Sequence, residues 1–267
     1  MTIKNKIFKD YNENDITLLF GDCLERMKEI KDNSIDLICT DLPYGVTKNK
    51  IDIALDLSKL WLEYNRISKP TTPILLFGQG LFYVDLINSN RNNFKYDIVW
   101  DKKISSGFLN AKRMPLRCHE QIAVFYKKLG CYNPQFTEGI PLHSKGVSYL
   151  NKVHKNQNYG VFQMTDDSRK GLTQKYPKSI LSFQKPHPSN AIHPTQKSLE
   201  LIETLIKQYS NENDLVLDST MGSNTTGLAC KTQNRKYIGI EKDETIFELA
   251  VKRICNFKPI KLNDNKE

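Results

Sequence analysis

The chain lacks several features that would define other classes of protein. No window holds the roughly 18 consecutive apolar residues of a membrane-spanning helix, and the first residues lack the apolar core of a secretory signal. The six scattered cysteines include no CxxC pair, so neither a zinc site nor a disulfide framework is indicated. Repeats and low-complexity tracts are also absent. We therefore expect a cytoplasmic globular protein with reduced thiols, no bound metal and no membrane partner.

Basic residues outnumber acidic ones. The chain of 267 residues has 39 Lys and Arg against 30 Asp and Glu, which gives a formal net charge of +9. This excess is compatible with a polyanionic partner such as nucleic acid. A general bias of the composition toward Lys and Asn is an equally open explanation.

Apolar segments typical of strands alternate with segments of helical spacing in two parts of the chain. Strand candidates include residues 16–20, 35–40, 215–218 and 236–241, and each is followed by a helical pattern. This alternation predicts an α/β fold, a Rossmann-like, doubly wound and mostly parallel sheet covered on both faces. In such sheets, ligands bind outside the carboxyl ends of the strands.

Residues 129–192 differ from the rest, because they are rich in Gly, Pro, Ser, Asn and Gln and have few periodic apolar runs. Lys and Arg number eight there against three acids. We predict a loop-rich insertion at 129–192 that divides one domain into halves at 1–128 and 193–267. A surface insertion without function is the alternative.

The tetrapeptide Asp41-Leu42-Pro43-Tyr44 directly follows one of the predicted strands. A carboxylate, a rigid turn and an aromatic ring at the end of a strand suit the binding of a flat molecule that bears an amine. A purely structural strand-to-turn junction is the alternative for the tetrapeptide taken alone.

A second group of residues indicates a cofactor that contains a nucleoside. A loop of small residues, from Asp218 to Gly227, joins a strand to a helix, and the free N–H groups of the helix start can approach a ligand. Glu241 ends the next strand about 20 residues later, where an acid commonly accepts hydrogen bonds from a ribose diol.

Together these motifs resemble those of the DNA amino-methyltransferases that use S-adenosylmethionine, in the circularly permuted beta arrangement with the catalytic motif before the cofactor loop. The tetrapeptide is similar to the family's Asp-Pro-Pro-Tyr signature. Three further segments resemble its Trp-x-Lys, His-Glu and His-Pro-Thr-Gln-Lys elements, at residues 96–102, 119–127 and 193–197. The chain departs from the family pattern at four positions: Leu42, Ser219, Thr220 and Asn224 stand where the family has Pro, Pro, Phe and Gly.

The resemblance implies a site-specific DNA (adenine-N6) methyltransferase that acts on duplex DNA after base flipping. Asp41, Leu42, Pro43 and Tyr44 are then the catalytic residues, with Asp41 and the Leu42 carbonyl accepting from the target amine. The implied residues for S-adenosyl-L-methionine are Asp22, Thr195, Lys197, Asp218, Gly222, Ser223, Thr225 and Glu241. For Asp22, capping of the following helix is an alternative. The basic residues expected at DNA phosphates are Lys102, Lys103, Lys112, Arg113 and Arg117.

Other interpretations remain open for this chain. A cytosine-N4 methyltransferase shares the scaffold, and the altered cofactor loop is compatible with a catalytically silent DNA-binding protein. A small-molecule or RNA methyltransferase fits less well, because a basic insertion of this size favours a large nucleic-acid substrate. The resemblance also makes a homodimer and a cognate restriction endonuclease candidate partners.

Overall fold

The structure, a computed structural model, describes residues 10–45, 54–143, 152–158, 160–163, 169–186 and 196–257. These residues form two compact units. The first falls within Met1–Asn133 and Ser179–Glu267, and the second within Pro134–Lys178. In the ranges described, no helix has both the length and the apolar composition required to cross a bilayer.

One sheet of nine strands forms the centre of the first unit. The strands are β1 (Tyr11–Glu13), β2 (Ile16–Phe20), β3 (Leu37–Thr40), β4 (Ile74–Gly78), β5 (Phe94–Ser106), β6 (Arg117–Phe125), β9 (Ile180–Ser182), β10 (Leu215–Asp218) and β11 (Lys236–Glu241). Their order across the sheet is β1-β2-β11-β10-β3-β4-β6-β5-β9. The five strands β2, β11, β10, β3 and β4 run parallel, whereas β6 is antiparallel to both β4 and β5. The prediction of a mostly parallel α/β sheet is thus confirmed.

Six α-helices cover the two faces of this sheet. They are α1 (Cys23–Arg26), α2 (Leu57–Ile67), α3 (Gly80–Ser89), α4 (Leu199–Tyr209), α5 (Thr225–Thr232) and α6 (Glu244–Asn256). The strand β3 shows why both faces are covered, since all four of its residues are buried. Leu37 and Cys39 pack in one apolar cluster with residues of α4, α5 and α6, whereas Ile38 packs in another with residues of α1, α2 and α3. This alternation follows from the two-residue period of a strand.

The β5–β6 hairpin is longer than its apolar pattern predicts. The sequence indicates strands near residues 96–100 and 121–126, but β5 continues to Ser106 and β6 begins at Arg117, with those two residues paired. The side chains of residues 103–115 are exposed. An exposed hairpin needs no alternation of apolar and polar residues, so the pattern missed this extension.

The second unit has a small sheet of its own. It contains the antiparallel pair β7 (Val153–Asn156) and β8 (Gly160–Gln163), and a bridge joins Thr137 to Lys175. Arg169 lies over the rings of Phe136 and Tyr176, at 5.2 and 4.2 Å from their centroids. This unit spans fewer residues than the predicted insertion at 129–192. The strand β9 falls within the predicted range but pairs with β5 in the nine-stranded sheet.

Candidate active site

A cavity of about 580 Å³ lies at the carboxyl ends of the parallel strands, where the topology predicts a ligand site. It brings together residues that are far apart in the sequence. Its lining includes the four residues Asp41, Leu42, Pro43 and Tyr44, the cofactor candidates Asp22, Lys197, Gly222 and Glu241, and the basic residues Lys102 and Arg117.

The Asp41 carboxylate is held on both of its oxygens. Tyr44 Oη donates to Oδ1 at 2.7 Å, and Lys197 Nζ lies 2.7 Å from Oδ2. The Tyr44 ring is stacked on Phe82, with centroids 4.7 Å apart. A carboxylate has about four acceptor positions, so these two contacts fix its orientation and still allow a further donor.

Asp41 ends a chain of alternating charges. Lys197 Nζ also lies 2.8 Å from Glu120 Oε2, and Lys102 Nζ lies 3.3 Å from Glu120 Oε1. Burial alone would lower the pKa of Lys197, but Asp41 and Glu120 raise it above its usual value. Burial would raise the pKa of Glu120, yet Lys197 and Lys102 bring it below its usual value. Lys197 and Glu120 are therefore both charged at neutral pH, and the linked side chains form a buried ionic network.

The cofactor side of the cavity presents acceptors and open backbone. Glu241 Oε2 accepts from the Gly222 N–H at 3.1 Å, and Oε1 accepts from the Asp243 N–H at 2.8 Å. Gly222 has φ +50°, and a Cβ added there would meet nothing within 4 Å, so a ligand can approach this backbone. Burial raises the pKa of Glu241. Asp22 lines the cavity and also caps α1 by accepting from the Leu24 N–H at 2.9 Å.

Hydroxyl groups tie the loop after β10 to the end of β3 and to Asp41. Thr40 Oγ1 donates to Asp218 Oδ1 at 2.6 Å, and Thr220 Oγ1 donates to the Asp41 carbonyl at 2.9 Å. The two threonine oxygens lie 3.0 Å apart. Burial raises the pKa of Asp218 to about 6 against the lowering effect of the Thr40 hydrogen bond. Thr220, one of the departures from the family pattern, thus connects the two loops.

The other two departures in this loop also have defined surroundings. Ser219 Oγ is 2.7 Å from the hydroxyl of buried Tyr64. Asn224 takes the left-handed conformation at φ 64° and precedes α5 as its N-cap. Asn adopts this conformation more readily than most residues other than Gly, so the turn of the loop is kept.

Three of the predicted cofactor residues do not line the cavity. Asp218 is buried behind it. The hydroxyls of Ser223 and Thr225 lie 3.2 and 3.0 Å from Arg253 Nη1, which also donates to the Ser223 carbonyl. Thr195 falls outside the described residues.

The predicted phosphate-binding residues divide into two kinds. Lys103, Lys112, Arg113 and Arg117 are exposed on the β5–β6 hairpin. Lys102 is only 5% exposed and has Glu120 as a partner, so its ammonium group is enclosed in the ionic network.

Sequence reasoning assigned no role to several residues of this site. Glu120 lies within the His-Glu element, which could have identified it. The contacts of Thr40 and Thr220 arise from the pairing of β3 with β10, which a motif does not reveal. Lys185 lines the cavity but belongs to no motif, and burial lowers its pKa.

A parallel sheet with an antiparallel hairpin beside it and a cavity at the strand ends is the architecture of a class I methyltransferase. The chain belongs to the N6_N4_Mtase family of DNA methylases, whose model matches residues 35–252. It is 28% identical to the type II methyltransferase M.HinfI of Haemophilus influenzae, over 93% of this chain and 71% of that protein. It is also 28% identical to the DNA adenine methyltransferase YhdJ of Escherichia coli strain K12, over 89% and 82% of the two chains.

Solved structures agree with this assignment. The M1.HpyAVI–SAM complex has a TM-score of 0.57 and 27% sequence identity, and the likeness covers 89% of this chain and 99% of that one. The cytosine-N4-specific PvuII DNA methyltransferase has a TM-score of 0.63 at 17% identity, over 96% and 90% of the two chains. At that identity the second likeness concerns the fold alone.

Proposed function

We propose that this chain transfers a methyl group from S-adenosylmethionine to the N6 amine of adenine in duplex DNA. The observation that carries the proposal is the Asp41 carboxylate, fixed by Tyr44 and Lys197 at the edge of a cavity that also contains Glu241. Asp41 would accept from the amine and Glu241 from the ribose, and both line one cavity at the strand ends.

The cavity residues fit the cofactor. The volume of the cavity is within the range of small-molecule sites. Carboxylates and a glycine backbone line the side where an adenosyl group would lie. Glu241 would hold the ribose diol, Asp22 the adenine amine, and the backbone at Gly222 the methionine portion. When bound, S-adenosylmethionine supplies an electrophilic methyl group on a sulfonium. Asp218, Ser223 and Thr225 would support the loop from behind, since they do not line the cavity.

The chain's own residues activate the amine by position. The N6 lone pair is delocalised into the adenine ring, so the free amine is a poor nucleophile. Asp41 and the Leu42 carbonyl would each accept one N–H, which favours a pyramidal nitrogen and directs its lone pair out of the ring plane. Tyr44, supported by Phe82, would stack on the flipped base. Positioning and electrostatics are sufficient for such a direct transfer.

We assign Lys197 a positioning role rather than a direct contact with the cofactor. Its ammonium group bridges Asp41 and Glu120, so it fixes the carboxylate that receives the amine. Glu120 and Lys102 in turn balance the charge of Lys197. Lys103, Lys112, Arg113 and Arg117 would contact phosphates, and residues 129–192 would contain the base readers.

The names of the relatives support the cellular setting that we propose. M.HinfI and M.HpaI are type II methyltransferases, and M.HpaI of Haemophilus parainfluenzae is 29% identical over 90% of this chain. We propose a cytoplasmic enzyme of a restriction-modification system, with a cognate endonuclease as a partner. A homodimer is a further proposal, for which sedimentation of the purified chain is the test.

Single-molecule sequencing of DNA from cells that express the chain, with mass spectrometry of the nucleosides, tests the function. We expect N6-methyladenine confined to one short motif. N4-methylcytosine instead would support the alternative target on the same scaffold. Unmodified DNA from cells with soluble protein, together with no binding of S-adenosylmethionine in calorimetry, would support the silent DNA-binding protein.

A further inference from the structure

The tip of the β5–β6 hairpin exposes apolar side chains that the site as described does not use. Leu109 is fully exposed, Phe108 is 69% exposed, and Met114 is 55% exposed. Large apolar side chains that project together from one loop usually mark a contact surface.

The tip is an ordered structure with its own hydrogen bonds. Gly107, at φ 89°, turns the chain into a short 3-10 helix over Phe108–Asn110. The N–H groups of Arg113 and Met114 both donate to the Asn110 carbonyl, at 2.8 and 3.0 Å. The apolar side chains are therefore presented by a folded loop, which lowers the entropic cost of inserting them into a partner.

The charge around the tip identifies the partner as a polyanion. Between Lys102 and His119 there is no acidic residue, whereas the exposed cations Lys103, Lys112, Arg113 and Arg117 flank the apolar tip. A second copy of this chain would bring the same positive charge to the same place. Nucleic acid offers complementary charge and base stacks into which an apolar side chain can insert.

The hairpin is also part of the wall of the catalytic cavity. Gly107, Asn110, Met114 and Arg117 line the same cavity as Asp41 and Tyr44. Phe108 and Leu109 are not in that lining, so they lie at the tip, next to the cavity rather than within it. An apolar side chain here would be adjacent to a base that enters the cavity.

We propose that Phe108 and Leu109 form a wedge that inserts into the DNA base stack and occupies the space left by the flipped target base. This inference rests on the proposed function. The flanking cations would hold the phosphates on either side, and Asn110 and Met114 would border the path of the base into the cavity. Extrusion of a paired base costs stacking and pairing energy, which an inserted apolar side chain offsets.

The first test compares methyl transfer on two duplexes that carry the methylated motif found by sequencing. In one the target base is paired, and in the other it lies opposite an abasic position. Phe108→Ala/Leu109→Ala should reduce the rate about tenfold or more on the paired duplex and much less on the unpaired one, where flipping is already easy. Leu62→Ala, at a 70% exposed site on α2, is the matched control and should leave both rates unchanged.

Lys112→Ala/Arg113→Ala provides a second comparison. Loss of phosphate contacts should weaken binding to both duplexes equally and reduce the salt dependence of that binding. If Phe108→Ala/Leu109→Ala lowers the rate of methyl transfer equally on both duplexes, or on neither, the wedge is overturned. Activity of the wild-type chain in the same assay would leave the proposed function intact. A wild-type chain that methylates neither duplex would instead overturn the proposed function, and the wedge with it.

A fluorescence measurement follows insertion without relying on methyl transfer. The native Trp61 and Trp100 are buried, so a Phe108→Trp variant adds one exposed indole. Its emission should be quenched when the motif duplex binds, as expected for an indole stacked on bases, and a Leu62→Trp control should not change. Unchanged emission at saturating DNA would contradict insertion. If the emission is quenched when the protein concentration is raised without DNA, and a larger species appears in sedimentation, the tip is a surface for self-association.

Discussion

The two loops that form the site are held by different interactions, although they follow paired parallel strands. The loop after β3 is fixed by charge, because Asp41 is bound to Lys197 and through it to Glu120. The loop after β10 is fixed by hydroxyl groups, through the contacts of Thr220 with Asp41 and of Thr40 with Asp218.

This difference matches the distribution of departures from the family pattern. The loop after β3 departs at one position, where Leu42 still offers the backbone carbonyl that we propose accepts from the target amine. The loop after β10 departs at three positions, where Ser219 contacts Tyr64, Thr220 contacts Asp41, and Asn224 keeps the left-handed turn. The loop after β10 would bind through its backbone, so it tolerates exchange of its side chains. The loop after β3 would act through the Asp41 carboxylate, so it depends on the charges around that group.

The largest effect should come from the catalytic carboxylate. Asp41→Asn removes the charged acceptor for the amine and replaces one oxygen with a donor, so methyl transfer should fall by about 10²-fold or more. Binding of S-adenosylmethionine, measured by calorimetry, should be unchanged. Full activity in this variant would refute the proposed role of Asp41.

The next effect tests whether Lys197 positions the carboxylate. Lys197→Met leaves buried charges without their partner, so we expect the free energy of unfolding to fall by about 3 kcal/mol and the transfer rate by roughly tenfold or more. Lys197→Arg should restore much of the activity. Lys69→Met, at an ion pair that is half exposed, should cost at most about 1 kcal/mol.

The triple variant Lys197→Met/Glu120→Gln/Lys102→Met separates fold from function. Removal of the buried charges around Lys197 together should recover part of the stability in thermal denaturation, while activity stays low because Asp41 is still unsupported. Activity that returns together with stability would show that Lys197 is only structural.

A pH-dependent effect should come from Asp218. Its pKa in the folded chain, about 6, is above the ordinary value of 3.8, so folding favours the protonated acid. Below pH 4 this carboxyl imposes no cost, and between pH 4 and 6 it lowers the stability progressively, by roughly 3 kcal/mol in total. Denaturation curves of the wild type and Asp218→Asn should therefore diverge over this interval. A constant difference between them would contradict the raised pKa.

A smaller effect should follow from removal of the link between the loops. Thr220→Val deletes the donor to the Asp41 carbonyl, which should cost about 1 kcal/mol of stability and roughly fivefold in rate. Thr204→Val is the matched control, because among the described residues its hydroxyl donates only to the Glu200 carbonyl within α4. If both variants keep the wild-type rate, the loops are not coupled through this hydroxyl.

The smallest effect concerns Asn224. Neither atom of its buried amide has a hydrogen-bond partner among the described residues, and its φ is positive. Asn224→Gly should change the stability by less than about 1 kcal/mol, since Gly accepts this backbone. Asn224→Ala should destabilise by about 1 kcal/mol, because Ala adopts the left-handed conformation less readily than Asn or Gly. Equal melting temperatures for the two variants would contradict a conformational role.

Local pattern was sufficient for the parallel strands of the sheet. The apolar period identified strands such as β3 and β11, and the residues at their carboxyl ends, Asp41 and Glu241, line one cavity. The contacts of Lys197 could not be predicted, because its partners lie 77 and 156 positions away along the chain. The extension of the β5–β6 hairpin was also not predicted, because its exposed residues need no alternation of apolar and polar side chains.

The central claim is that the cavity at the ends of β3 and β10 methylates the N6 amine of adenine, and labelled product analysis tests it most directly. Purified wild-type chain would be incubated with duplex DNA and methyl-labelled S-adenosylmethionine, and the DNA would then be digested to nucleosides. The account predicts label in N6-methyladenine for the wild type and none for Asp41→Ala. Label in another nucleoside, or equal label with the variant, would contradict it.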